Sequence, residues 1–200
     1  MTQRILSSIF ALIGWFAVIT QYYLMVKGNQ ISFEEATIRF FSYFTILTNL
    51  LVAVYFTFQT FSSFSIIKKS GMLTAITIYI LIVGFIYQII LRSTWNPTGL
   101  QRLVDELLHT IIPILVLIYW YNFENKRDLS YKQIPSWAIY PLLYLFYILI
   151  RGHFSDFYPY PFVNVTDLGY SQVFINSFWI LVFFIGLSML FIRIGKTLSK

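Results

Sequence analysis

MLTAITIYILIVGFIYQIIL, residues 72–91, is a run of twenty residues without a single charge, closed on one side by Lys68 and Lys69 and on the other by Arg92. A helix advances about 1.5 Å per residue, so crossing a hydrocarbon core takes about 20 mostly apolar residues. The run therefore reads as a transmembrane helix. Working outward from it, five further segments meet or approach that length, at 5–25, 40–61, 107–123, 135–150 and 173–192. Pro141 makes 135–150 the weakest helix of the set, because proline removes a backbone donor. Segment 5–25 ends in Gln21, Tyr22 and Tyr23 without a small-residue cleavage pattern, so it reads as a retained span and not a signal peptide. Connections are short, and neither an internal repeat nor a low-complexity linker is visible. The expected fold is all-α: a polytopic membrane helix bundle of about six spans, forming one transmembrane domain over residues 1–200.

Composition agrees with that solvent. Apolar residues make up 58% of the 200-residue chain and charged residues 11%, outside the usual soluble range. The 21 Phe and 15 Tyr suit a bilayer, where rings fill the core and Tyr anchors the headgroup layer. A net charge of +6 could suggest nucleic acid, yet the basic residues stand as ones and twos between apolar runs, and no nucleic-acid partner is expected. The absence of Cys excludes disulfides, thiolate nucleophiles and Cys-ligated metals. With two His and no HxxxH spacing, neither a metal nor a cofactor is expected.

Basic residues flanking the spans set orientation. With the N-terminus inside, the cytoplasmic segments hold nine: Arg4, Lys68, Lys69, Lys126, Arg127, Lys132, Arg193, Lys196 and Lys200. The opposite side holds five: Lys27, Arg39, Arg92, Arg102 and Arg151. The bias places both termini in the cytoplasm of a cell-membrane protein.

In that topology the second, fourth and sixth spans enter from outside, and their early residues share a layer. Thr45 follows Arg39 by six residues and His109 follows Asp105 by four, which puts each roughly 5–10 Å into its helix. Asn49, Asn176, Gln88, Arg92, Arg151 and His153 fall at similar depth, and the inner half holds no comparable set. Polar groups at such depth are costly and usually face the bundle interior. The spacing of four puts Asp105 and His109 on one helical face, with Glu106 a second possible partner. A carboxylate can fix an imidazole in one tautomer, as a His general base requires. An interfacial acidic pair beside a polar His is the plainer explanation, and Thr45 could equally bond back to its own helix. The Tyr158–Phe162 alternation of Tyr and Pro reads as an extended aromatic segment at the interface.

FSYFTILTNL (residues 41–50) and YPYPFV (158–163) resemble the bacterial six-span Pr-six-Pr integral membrane family over most of the chain, a likeness that implies architecture and no reaction. More remotely, the chain is similar to the androgen-induced membrane hydrolases, which cleave fatty acid esters of hydroxy fatty acids with a Thr nucleophile and a His. There the Thr follows an aromatic-Leu pair, as Thr45 follows Tyr43 and Phe44; the stretch from His109 to Pro113 and the Tyr160-Pro161-Phe162 element match in the same order. Ile46 and Leu47 after the Thr, and a single His at the head of its span, depart from that pattern.

The resemblance implies Thr45 as nucleophile and His109 as base. Asp105 or Glu106 would orient the base, Asn49 or Asn176 would stabilise an oxyanion, and a membrane lipid or lipid-like ester would be the substrate. The alternatives are a small-solute transporter, in which the polar layer would bind the solute, and a noncatalytic membrane protein. Reporter fusions check the orientation: the Lys126 loop and both termini are expected on the cytoplasmic side, and a Lys126 loop accessible only from outside would reverse it.

Overall fold

The computed structural model describes residues 2–28, 31–61 and 69–199; Lys68 and Lys200, used in the charge count, lie outside them. The protein is all-α, and six helices among the described residues are long and apolar enough to cross a membrane. The chain groups into two compact units, Met1–Asn125 and Lys126–Lys200.

The first unit contains α1 (Thr2–Gly28), the short α2 (Phe33–Phe40), α3 (Phe44–Phe61), α4 (Met72–Ile86), α5 (Gly99–Glu106) and α6 (Ile112–Phe123). Small residues let α1 and α3 approach closely. A Cβ added to Gly14 would lie 3.0 Å from that of Ala53, and both Ala17 and Ala53 are fully buried. Trp15 Nε1 donates to Thr57 Oγ1 at 3.0 Å, and Phe10, Phe56 and Tyr119 form an edge-packed cluster with centroids 4.8–5.9 Å apart. Backbone groups in hydrocarbon have no water to bond, so helices meeting through small residues and aromatic edges are the arrangement that sequence and solvent together favour.

The expected 40–61 span is broken. The Ser32 hydroxyl caps α2 by accepting from Glu35 N–H at 3.2 Å, and Arg39 pairs with Glu35 at 2.6 Å. Glu34's own backbone N–H, then the Ser32 hydroxyl, hold the exposed Glu34 carboxyl below its usual range. At the other end Ser42 N–H turns back to Arg39 O at 2.9 Å, while the Ser42 hydroxyl takes Ile38 O at 2.7 Å. Local side-chain bonds of this kind compete with helix continuation. α3 therefore begins at Phe44 and Thr45 lies in its first turn. The expected 72–91 and 107–123 spans are longer than the sequence suggests. α4 continues through a π-turn at Tyr87–Leu91 and a 3₁₀ turn to Thr94, and α5 leads through a π-turn at Leu107–Ile111 into α6.

A second set of polar bonds occupies the end of this unit where α1 begins, in the half for which no set comparable to the His109 layer was expected. Glu124 Oε2 accepts from the Thr74 amide at 2.8 Å and the Thr74 hydroxyl at 2.6 Å, so the end of α6 caps the start of α4. Trp120 Nε1 donates to Thr74 Oγ1 at 2.8 Å, Ser7 and Tyr119 share a hydroxyl bond of 2.8 Å, and Gln59 donates to Tyr55 at 2.9 Å.

The second unit is a helical hairpin of α7 (Ile134–Ser155) and α8 (Val165–Leu198). A capping box between Ser130 and Gln133 starts the turn that leads into α7, which runs through Pro141 instead of ending there and is longer than the expected 135–150. Asn164 caps α8, whose chain bends at Gly169 (φ 72°, ψ 159°). Between the helices the Tyr-Pro segment, expected to be extended, is extended at Tyr160 and then closes into a short 3₁₀ turn at Pro161–Val163, with Tyr160 stacked on Phe162 at 5.2 Å.

Gly14→Leu is expected to destabilise the protein by about 1–3 kcal/mol through overpacking against Ala53. Gly186, whose added Cβ would meet nothing within 4 Å, should accept Leu with a change of about 0.5 kcal/mol or less. Thermal unfolding in one detergent compares the two; equal melting temperatures would contradict the close α1–α3 approach.

Candidate functional site

The two π-turns face one another in the first unit, Tyr87 of one stacked on His109 of the other. In an α-helix Ile112 N–H would bond to Leu108 O; here it bonds to Leu107 O, which releases the Leu108 carbonyl. Pro113, four residues after His109, has no N–H to offer the His109 carbonyl. That carbonyl sits against Gly84, where an added Cβ would approach it to 3.1 Å. In the facing turn Arg92 N–H reaches Tyr87 O, again five residues back.

His109 lies at the centre of this contact. Its Nδ1 is 2.9 Å from the Asp105 backbone carbonyl and 3.3 Å from Asp105 Oδ1. A carbonyl can only accept, so Nδ1 carries the hydrogen and, in the neutral ring, Nε2 holds the lone pair. Asp105 is buried, and its other oxygen accepts from the Tyr87 hydroxyl, while Trp95 Nε1 donates to Oδ1 at 3.3 Å. The Tyr87 ring lies flat on the imidazole, with centroids 4.0 Å apart and planes 15° from parallel. Burying a carboxylate is costly unless it is hydrogen-bonded, and three donors from separate turns meet that need. Sequence spacing found Asp105 and His109. Tyr87 and Trp95 were missed, since aromatics in an aromatic-rich chain carry no signal of their own.

Glu106, the alternative partner for His109, is committed elsewhere. It pairs with Arg92 and accepts from Thr110 Oγ1 at 2.8 Å; Thr110 in turn accepts from Gln88 Nε2 at 2.8 Å, and Gln88 accepts from Arg92 Nη1 at 2.7 Å. This ring of bonds is largely exposed, one helix face away from the Asp105 carboxylate.

Asn49 is fully buried, and its Nδ2 donates to Thr45 O at 2.9 Å and to Leu108 O at 3.2 Å. Both amide hydrogens are spent, so Asn49 presents an acceptor to its surroundings and not the oxyanion donor expected. Asn176, in the second unit, donates to Phe162 O at 2.9 Å and accepts from Gln172, which ties it to its own hairpin. Thr45 is buried in the first turn of α3. Among the described residues the hydrogen-bonding partner of the His109 ring is Asp105, so Thr45 is joined to the His109 turn through Asn49 and not by a direct bond.

No family model, curated protein or solved structure matches this chain.

Asn49→Leu is expected to lower stability by about 1–3 kcal/mol, because two buried carbonyls lose their donor. Asn49→Asp should cost more, since it turns acceptor oxygens toward those carbonyls. Melting temperatures in detergent rank the two, and an Asp variant as stable as wild type would contradict the amide orientation.

Proposed function

We propose that the protein is an intramembrane hydrolase of amphipathic lipid esters, working in the outer part of the cytoplasmic membrane with both termini inside. The observation that supports this reading is the pair formed by half-buried His109 and buried Asp105, in which Nδ1 is held as a donor and Nε2 is left as the basic atom. This is the arrangement that a His general base requires. Thr45 is the nucleophile. Its place in the first turn of α3 favours the reaction, because aligned peptide dipoles at a helix start stabilise developing negative charge. Approach of substrate between the two turns would bring the Thr45 hydroxyl to Nε2, since catalytic hydrogen bonds often tighten only in the substrate complex.

His109 would then take the Thr45 proton as the hydroxyl oxygen attacks the ester carbonyl, and return it to the departing alkoxide. Water, activated by the same nitrogen, would release the acid from the threonine ester. Lipid ester groups lie at the boundary between headgroups and tails, which is the layer the polar site occupies in the proposed orientation.

Purified protein is expected to hydrolyse labelled lipid esters and to take up a fluorophosphonate probe. Thr45→Ala should abolish both, and His109→Ala should slow turnover by about 10²- to 10⁴-fold. A folded wild-type protein that takes up no probe and cleaves none of a broad ester panel would end the hydrolase reading. Full activity in Thr45→Ala would leave the class and remove the nucleophile.

A further inference from the structure

We propose that Tyr87 is a positioning residue for the Asp105–His109 pair, a role that rests on reading that pair as the acid–base group. Two independent contacts converge on it. Its hydroxyl donates to Asp105 Oδ2, which leaves Oδ1 turned toward Nδ1 of His109 and Nε1 of Trp95. Its ring lies 4.0 Å from the imidazole and 15° from parallel, which restricts rotation of the His109 side chain. One side chain thus sets both the carboxylate rotamer and the imidazole plane. A residue serving only as packing would need the ring and not the hydroxyl.

Backbone geometry supports the assignment. Tyr87 opens one π-turn and His109 sits in the middle of the other, and such turns recur at functional sites. Arg92, which follows the first π-turn, places its guanidinium carbon 5.9 Å from the centroid of the Tyr87 ring while pairing with Glu106. Tyr87 itself is buried, whereas the Arg92–Glu106 pair is partly exposed.

The test uses the full chain in detergent micelles with ¹⁵N-labelled histidine and a His153→Gln background, which leaves His109 as the sole imidazole. Nitrogen shifts separate the two neutral tautomers. Wild type should show hydrogen on Nδ1. Tyr87→Phe keeps the ring, releases Oδ2 so that the carboxylate can turn away from Nδ1, and should move part of the signal to the Nε2–H tautomer. Probe labelling of Thr45 should fall roughly 10- to 100-fold, the loss expected for one hydrogen bond to a charged group. An unchanged tautomer in folded Tyr87→Phe overturns the proposal and assigns the lock to the Asp105 backbone carbonyl. Should Tyr87→Phe not fold, 3,5-difluorotyrosine at position 87 retains both contacts but strengthens the donor, and the His109 nitrogen shifts must respond; no response overturns the proposal equally. A wild-type protein that labels with no probe ends the hydrolase reading alone, because the tautomer measurement still decides the part played by Tyr87.

Discussion

A carbonyl released inside hydrocarbon must find another donor, and at Leu108 that donor is the Asn49 amide. The π-turn after α5 frees the carbonyl, and the amide that takes it also holds the Thr45 carbonyl one turn earlier on α3. This pair of bonds connects the helix carrying the candidate nucleophile to the helix carrying the candidate base. Remove it and α3 keeps its apolar packing on α1 but loses its polar link to the His109 turn. The same constraint explains Gly84, whose missing side chain lets the His109 carbonyl, left without a proline donor, approach α4 closely.

Neighbouring carboxylates in this region meet different fates, and the contrast is informative. Asp105 points inward, where each oxygen is met by donors from Tyr87, Trp95 and His109. Glu106, one residue on and about 100° around the helix, points to the exposed side and closes a ring with Arg92, Gln88 and Thr110. An exposed pair of that kind contributes little to stability. A buried, multiply bonded carboxylate on an imidazole is costly to assemble, and replacing such groups with apolar residues is often neutral or stabilising. Under the proposed function, orienting a general base is the role that offsets this cost.

Membrane location, the number of spans and the Asp105–His109 pairing were legible in the sequence, because apolar length and a spacing of four are direct consequences of helix geometry. What escaped it depends on departures from that geometry. Depth counted from Arg39 assumed a continuous helix, yet Ser42 breaks it, so Thr45 begins α3 instead of lying one turn inside it. Neither π-turn leaves a mark in composition. The direction of the Asn49 amide is set by two carbonyls, one of them 59 residues away, and the same holds for Glu124, whose partner Thr74 lies 50 residues earlier. Long-range polar pairs of this sort cannot be read from periodicity.

The Glu124 cluster also bears on how a ligand would reach the site. A path across the membrane would have to join it to the His109 layer, and Val52, Ile80 and Val116, which lie between the two on α3, α4 and α6, are each at most 1% exposed, while the buried Thr77 hydroxyl is spent on Leu73 O. Such an apolar layer opposes the passage of ions and small polar solutes, which would have to shed water to cross it. Glu124 accepts from the Thr74 amide in the first turn of α4 and complements the positive end of its dipole, a structural task that accounts for its half-buried position. An amphipathic ester needs no such path. For the proposed lipid-ester substrate the tails already occupy the hydrocarbon, so sideways entry at the depth of the ester group is the route that reading calls for.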